Sequence, residues 1–107
     1  MTLTILVRGV EGGAKLKELA DKKFSSGLRR FEAVIRKATV KLEDETGPRK
    51  QTVDKVCTVE LKLARGGELR VREVGDNFTG VINTALDRIK AALSRSVGRM
   101  KRGVGEG

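Results

Sequence analysis

Apolar positions along this chain keep one of two periods: every second residue, or every third and fourth. Leu3, Ile5 and Val7 alternate with Thr2, Thr4 and Leu6, which predicts a strand over Thr2–Val7. Gly9 to Gly13 breaks it. Leu16, Leu19, Ala20, Phe24, Leu28 and Phe31 then share one side of a helical pattern, predicting a helix over Ala14–Phe31. Gly27 inside that pattern costs about 1 kcal/mol relative to Ala and loosens its last turn. Alternation returns over Ile35–Glu43, with Ala38, Val40 and Leu42 on one face and Lys37, Thr39 and Lys41 on the other. A polar loop, Asp44–Asp54, holds the only proline. Lys55–Ala64 is the third predicted strand: Cys57, Val59, Leu61 and Leu63 face one way, and Thr58, Glu60 and Lys62 the other. Arg65-Gly66-Gly67 is a hairpin signal, because glycines supply positive φ. Glu68–Val74 is the fourth strand, with Leu69 and Val71 inward and Arg70 and Arg72 outward.

The last segment carries the strongest pattern. Phe78, Ile82, Leu86, Ile89, Leu93, Val97 and Met100 recur three or four residues apart, predicting one amphipathic helix over Asn77–Arg102 with its N-cap in Gly75-Asp76-Asn77. Gly103–Gly107 is expected to be a flexible tail. The order is therefore β-α-β-β-β-α. An α+β fold follows: a two-layer sandwich whose four-stranded sheet carries both helices on one face and leaves the other open. With 107 residues the chain holds one domain, spanning residues 1–102, and no repeat.

Charge changes the picture. There are 23 Lys+Arg against 14 Asp+Glu, a formal net charge of +9. So basic a small body points to a polyanionic partner, although a solubility device is the plain alternative. The distribution favours the former. Arg88, Arg95, Arg99 and Arg102 fall within a sector of roughly 60° on the last helix, and Asp87 is the only acid in that segment. A solvated face would mix signs and gain i,i+4 pairs. Lys15, Lys22 and Arg29 form a second, weaker basic line on the first helical segment, partly offset by Glu18 and Asp21. Phe24, Phe31 and Phe78 are the only aromatic residues, all at core positions, so a base-stacking platform is not expected. Recognition of a backbone or a shape remains.

Catalytic chemistry finds little support. The chain has no histidine, the usual neutral-pH general base and commonest metal ligand, and its single cysteine cannot complete a zinc site. Cys57 reads as a buried hydrophobe rather than a nucleophile. Glu43-Asp44-Glu45 reads as a solvated strand end rather than a metal site, and Gly9–Gly13 as a turn rather than an anion-binding loop. No enzyme, cofactor or metal is expected. No apolar run reaches a membrane span, the start is too short and strand-like for a signal peptide, and one cysteine fits a reducing cytoplasm.

Several strings, taken in register, resemble the ribosome hibernation-promoting factors, also called the ribosome-associated inhibitor family. They are Gly66-Gly-Glu-Leu69 between two strands, Asp76-Asn-Phe-Thr-Gly-Val-Ile-Asn83, Leu86-Asp-Arg-Ile89, and Leu16-Lys-Glu-Leu-Ala-Asp-Lys-Lys-Phe24 followed by Leu28 to Phe31. The resemblance covers roughly residues 1 to 100, with Thr79 and Ala91 standing where the family commonly has a tyrosine and a basic residue. It implies a short-form, non-enzymatic protein that occupies the messenger and transfer RNA channel of the small ribosomal subunit and inhibits translation. Lys23, Arg88 and Arg95 match the family's basic helix positions. The expected RNA-binding set is thus Lys15, Lys22, Lys23, Arg29, Arg88, Arg95, Arg99 and Arg102, with ribosomal RNA and the small subunit as partners and no small-molecule substrate. Two alternatives stay open: a generic double-stranded RNA module, and a protein-interaction module whose open sheet face, carrying Lys41, Lys62, Arg70 and Arg72, meets an acidic partner. The sequence does not fix the oligomeric state.

Overall fold

The computed structural model of the chain describes residues 1–45 and 54–106, with side chains described for 1–45 and 54–98. Strand β1 (Thr2–Arg8) leads to helix α1 (Gly13–Gly27), a 3-10 helix (Arg29–Val34), strands β2 (Ile35–Asp44), β3 (Lys55–Leu63) and β4 (Glu68–Gly75), and helix α2 (Phe78–Glu106). The predicted α+β order holds. Most of the expected Asp44–Asp54 loop lies outside the described residues. So do the side chains of Met100, Arg99 and Arg102.

The four strands lie side by side in sequence order. β1 runs parallel to β2, a pairing that needs a long crossover, and α1 supplies it. β2, β3 and β4 form an antiparallel meander. The register aligns the apolar positions into rows: Ile5, Val40, Val59 and Val71 face the helices together, as do Leu3, Ala38, Leu61 and Leu69. Both helices lie on that face, α1 over β1 and α2 over β3 and β4. Phe24, Leu28, Ile82, Ile89 and Leu93 are fully buried between the layers. Each contributes roughly 1.5–3 kcal/mol relative to exposure.

Glycines place the turns. Gly66 and Gly67 adopt φ of +96° and +92° and close the β3–β4 hairpin, where the chain must double back. Gly12, at φ +68°, caps the start of α1 without a side-chain bond. At the start of α2, Asn77 Oδ1 accepts the Gly80 N–H at 2.7 Å, as expected of an N-cap residue.

Two expectations are corrected. The first helical segment does not run unbroken to Phe31. It ends at Gly27, and Phe31 sits in the 3-10 helix, where its N–H bonds to the Leu28 carbonyl at 2.9 Å. Gly27 is also where α2 comes close: a Cβ there would lie 2.8 Å from Leu86 Cδ2. The helices touch where α1 stops. In addition, α2 is helical to Glu106, past the predicted end at Arg102. Thr58 points to the open face as predicted yet is buried. Lys41 and Arg72 flank it in the ladder, and their aliphatic stems account for its cover.

Candidate nucleic-acid interface

The contact between the end of α1 and the middle of α2 leaves an open hollow of about 660 Å³, lined by Ser26, Gly27, Arg29, Arg30 and Lys90. A second hollow of about 390 Å³ adjoins it across Ser26 and Gly27 and adds Lys22, Lys23, Asn83 and Leu86. None of these described lining residues is acidic. Local sequence explains the concentration of charge. Gly27 halts α1, and the chain turns through Arg29-Arg30, so two guanidinium groups fall beside α2. The side chain of Phe31 is buried, and the Arg30 guanidinium carbon stands 4.7 Å from its ring centroid, which restrains that arginine by a cation–π contact. Lys22 also lies 3.9 Å from Glu18 in an exposed i,i+4 pair, a weak restraint.

The expected site residues divide into two groups. Lys22, Lys23 and Arg29 line the hollows. Arg29 lies on the 3-10 helix, so it does not continue the Lys15–Lys22 line of α1. Lys15 is exposed near the start of α1, on the first turns. Arg88 and Arg95 are exposed on the other flank of α2: at about 100° per residue, they project roughly 120–160° away from Asn83 and Lys90 about the helix axis. Arg88 Nε lies 3.0 Å from Glu73 Oε1 on β4. The arginine row is therefore not unopposed, as its own helix implies. Glu73 answers Arg88 from a strand more than ten residues away. Helix α2 is a ridge with bases on both sides.

Arg30, Lys90 and Asn83 escaped the sequence reading. Lys90 follows Arg88 by two residues, so a search for one stripe passes over it. The signal that could have found it is Gly27, which marks where a neighbour comes close.

The open sheet face behaves differently. Glu60 Oε1 lies 3.4 Å from Lys41 Nζ and 3.5 Å from Arg70 Nε, and Arg72 Nη2 lies 3.3 Å from Glu45 Oε2. The bases of this face are largely engaged with acids of the same face. Asp44 pairs with Lys55, whose ammonium stands 5.5 Å from the Phe78 ring centroid. Asp44 is thus half-buried structure rather than part of a solvated acidic strand end.

Cys57 is fully buried on the helix-facing side of β3. Burial pushes its thiol up to about 12, with the nearby Glu73 charge adding to the rise. The thiolate is the reactive form, so the folded protein should resist alkylation at pH 8 and react only when denatured. Cys57→Ala should fold and retain RNA binding. Quantitative thiol labelling with and without denaturant checks the first expectation, and a binding titration the second.

The profile of the family described as Sigma 54 modulation protein / S30EA ribosomal protein matches residues 3–101. The chain belongs to this family. The assignment agrees with the resemblance seen in the sequence, and the S30EA family is one of ribosome-associated modulation proteins. The fold is similar to that of the Thermus thermophilus Protein Y N-terminal domain, with a TM-score of 0.69, 22% identity, and coverage of 89% of this chain and 98% of that one. It is also similar to a ribosomal subunit interface protein from Coxiella burnetii, with a TM-score of 0.70, 17% identity, and coverage of 92% and 99%. At these identities the structural likeness speaks for the fold alone. No curated protein matches the chain significantly.

Proposed function

We propose that this S30EA-family chain binds the small ribosomal subunit in the cytoplasm through its basic helix faces and silences translation by occupying the RNA channel. The two basic hollows between α1 and α2, with no acid among their described lining residues, carry this reading. A phosphate backbone is the partner that best offsets so many fixed cations, and the scarcity of aromatic side chains fits contact with backbone rather than stacked bases. Bases on both flanks of α2 favour a surface in which phosphates approach from two sides, as in folded ribosomal RNA. Membership of the S30EA family, matched over residues 3–101, supports a ribosomal partner. Non-enzymatic occlusion needs no reacting group, only a rigid body and an electrostatic match.

The acidic-protein alternative loses ground on the sheet face, where Lys41, Arg70 and Arg72 already have acidic partners. A generic double-stranded RNA module differs in preference: it binds a plain duplex as well as a small subunit.

The test is binding to purified small subunits and to an RNA duplex across a salt series. If about six Lys/Arg side chains neutralise phosphates, log K against log salt should fall with a slope of about −4 to −5. Equal affinity for the duplex would favour the generic module, and a flat salt dependence would reject the phosphate-backbone reading. Sedimentation of a stationary-phase lysate, with this protein followed through the gradient, tests where it resides.

A further inference from the structure

Glu73 stands where the sheet calls for an apolar residue. The ladder aligns Val7, Leu42, Cys57 and Glu73 in one row on the helix-facing side. Leu42 and Cys57 are fully buried, and the Glu73 side chain is 15% exposed. A carboxylate so placed loses much of its hydration, and a single ion pair to a largely exposed arginine returns little of that loss. Stability alone would be better served by a valine or leucine. The feature that the acid does provide is a fixed anchor for Arg88. The closest approach is through Nε at 3.0 Å, while the arginine side chain remains 67% exposed. A guanidinium has five donors in a rigid fork. An anchor at Nε leaves the terminal nitrogens available to an incoming anion.

We propose that Glu73 is a positioning residue for RNA binding: it holds Arg88 on the β4 flank of α2 with its outer donors directed at a phosphate. The inference rests on the ribosomal RNA reading given above. A long side chain normally loses its freedom when it binds, and an anchored one has lost part of it already. Among the described residues, Lys90 and Arg95 form no ion pair with an acid. Among the described bases of α2, Arg88 is therefore the organised cation, and Lys90 and Arg95 act as more adaptable charge.

The sign of the effect separates this role from bulk electrostatics. Removing an acid from a protein of net charge +9 should tighten its grip on RNA if only total charge mattered. If Glu73 instead masked Arg88 by competing with phosphate, its removal should also tighten binding. Positioning demands the reverse.

The experiment measures small-subunit affinity for the full chain and for Glu73→Ala, Glu73→Gln, Arg88→Ala and the Glu73→Ala/Arg88→Ala double variant, with thermal melts confirming that each is folded at the assay temperature. Glu73→Ala should weaken binding about 3–10-fold. Glu73→Gln removes the charge of the ion pair and should weaken binding as Glu73→Ala does. In the Arg88→Ala background, Glu73→Ala should cause no further loss, because the coupling runs through that arginine. Binding by Glu73→Ala as tight as the parent's, or tighter, overturns the proposal. So does an equal loss with and without Arg88, and so does binding by a folded Glu73→Gln as tight as the parent's. If the parent does not bind small subunits, the ribosomal reading has failed. The same proteins titrated with a plain RNA duplex then decide the role of Glu73 by the same criteria.

Discussion

Changing Lys22, Arg29 and Arg95 together to Glu is expected to abolish detectable binding to small ribosomal subunits while the domain stays folded. All three are exposed, so little packing is lost. Each reversal removes two charge units, so the net charge falls from +9 to +3. Lys22→Glu sets a carboxylate one turn from Glu18, a like-charge pair that costs about 0.2–0.5 kcal/mol. That is small beside the roughly 5–15 kcal/mol of an average domain. The effect on binding is much larger. Three favourable phosphate contacts become three repulsive ones, and the salt slope should flatten by about 2–3 units. Arg88 is left out deliberately. Its reversal would set a carboxylate beside the half-buried Glu73 and confuse a folding defect with a binding defect. For the same reason Asp44 and Glu45 make poor control positions, since they hold Lys55 and Arg72. Glu68→Lys, on the exposed edge strand, is the better control and should not weaken binding. Co-sedimentation with circular dichroism on the same samples decides the matter. A folded triple variant that sediments like the parent would reduce both helix flanks to solvated surface.

Phe24→Ala should have the largest effect on stability. Phe24 is fully buried on α1, in the core cluster shared with Leu28, Ile82 and Ile89. Truncation removes the ring's transfer free energy and leaves a cavity, a loss of about 3–5 kcal/mol. At about 4–8 °C per kcal/mol for a domain of this size, Tm should drop by well over ten degrees. Thermal unfolding followed by circular dichroism measures it. The consequence for function follows from the architecture. The hollow exists only because α1 and α2 are held side by side at Gly27 and Leu86, so loosening α1 disperses Lys22, Lys23, Arg29 and Arg30. Subunit binding should fall in step with the fraction unfolded.

The periods of the apolar positions by themselves determined the four strands, the two long helices, their order and the inward face of every strand. Alternation and the 3.6-residue repeat are local consequences of backbone geometry, and burial follows them when one face alone is covered. The positive-φ glycines of the hairpin and the Asn77 cap were legible for the same reason: each acts within four residues of itself. The sequence also showed that the helices are basic and pointed to a polyanionic partner.

Where those charges meet was decided by tertiary structure. Arg29 and Lys90 are far apart in the chain, yet both border the same recess because two helices meet at a glycine. The role of Gly27 was only half legible: propensity marked the residue as a weak point of α1, but the closeness of Leu86, which leaves no room for a Cβ, comes from the packing of α2. The arginine row looked uniform because a helical projection sees only its own helix. Glu73 comes from β4, and only the packing of α2 over that strand sets Arg88 apart from Arg95. Periodicity reports what a segment does for itself. Charge acts through space, and which charges become neighbours is set by the fold.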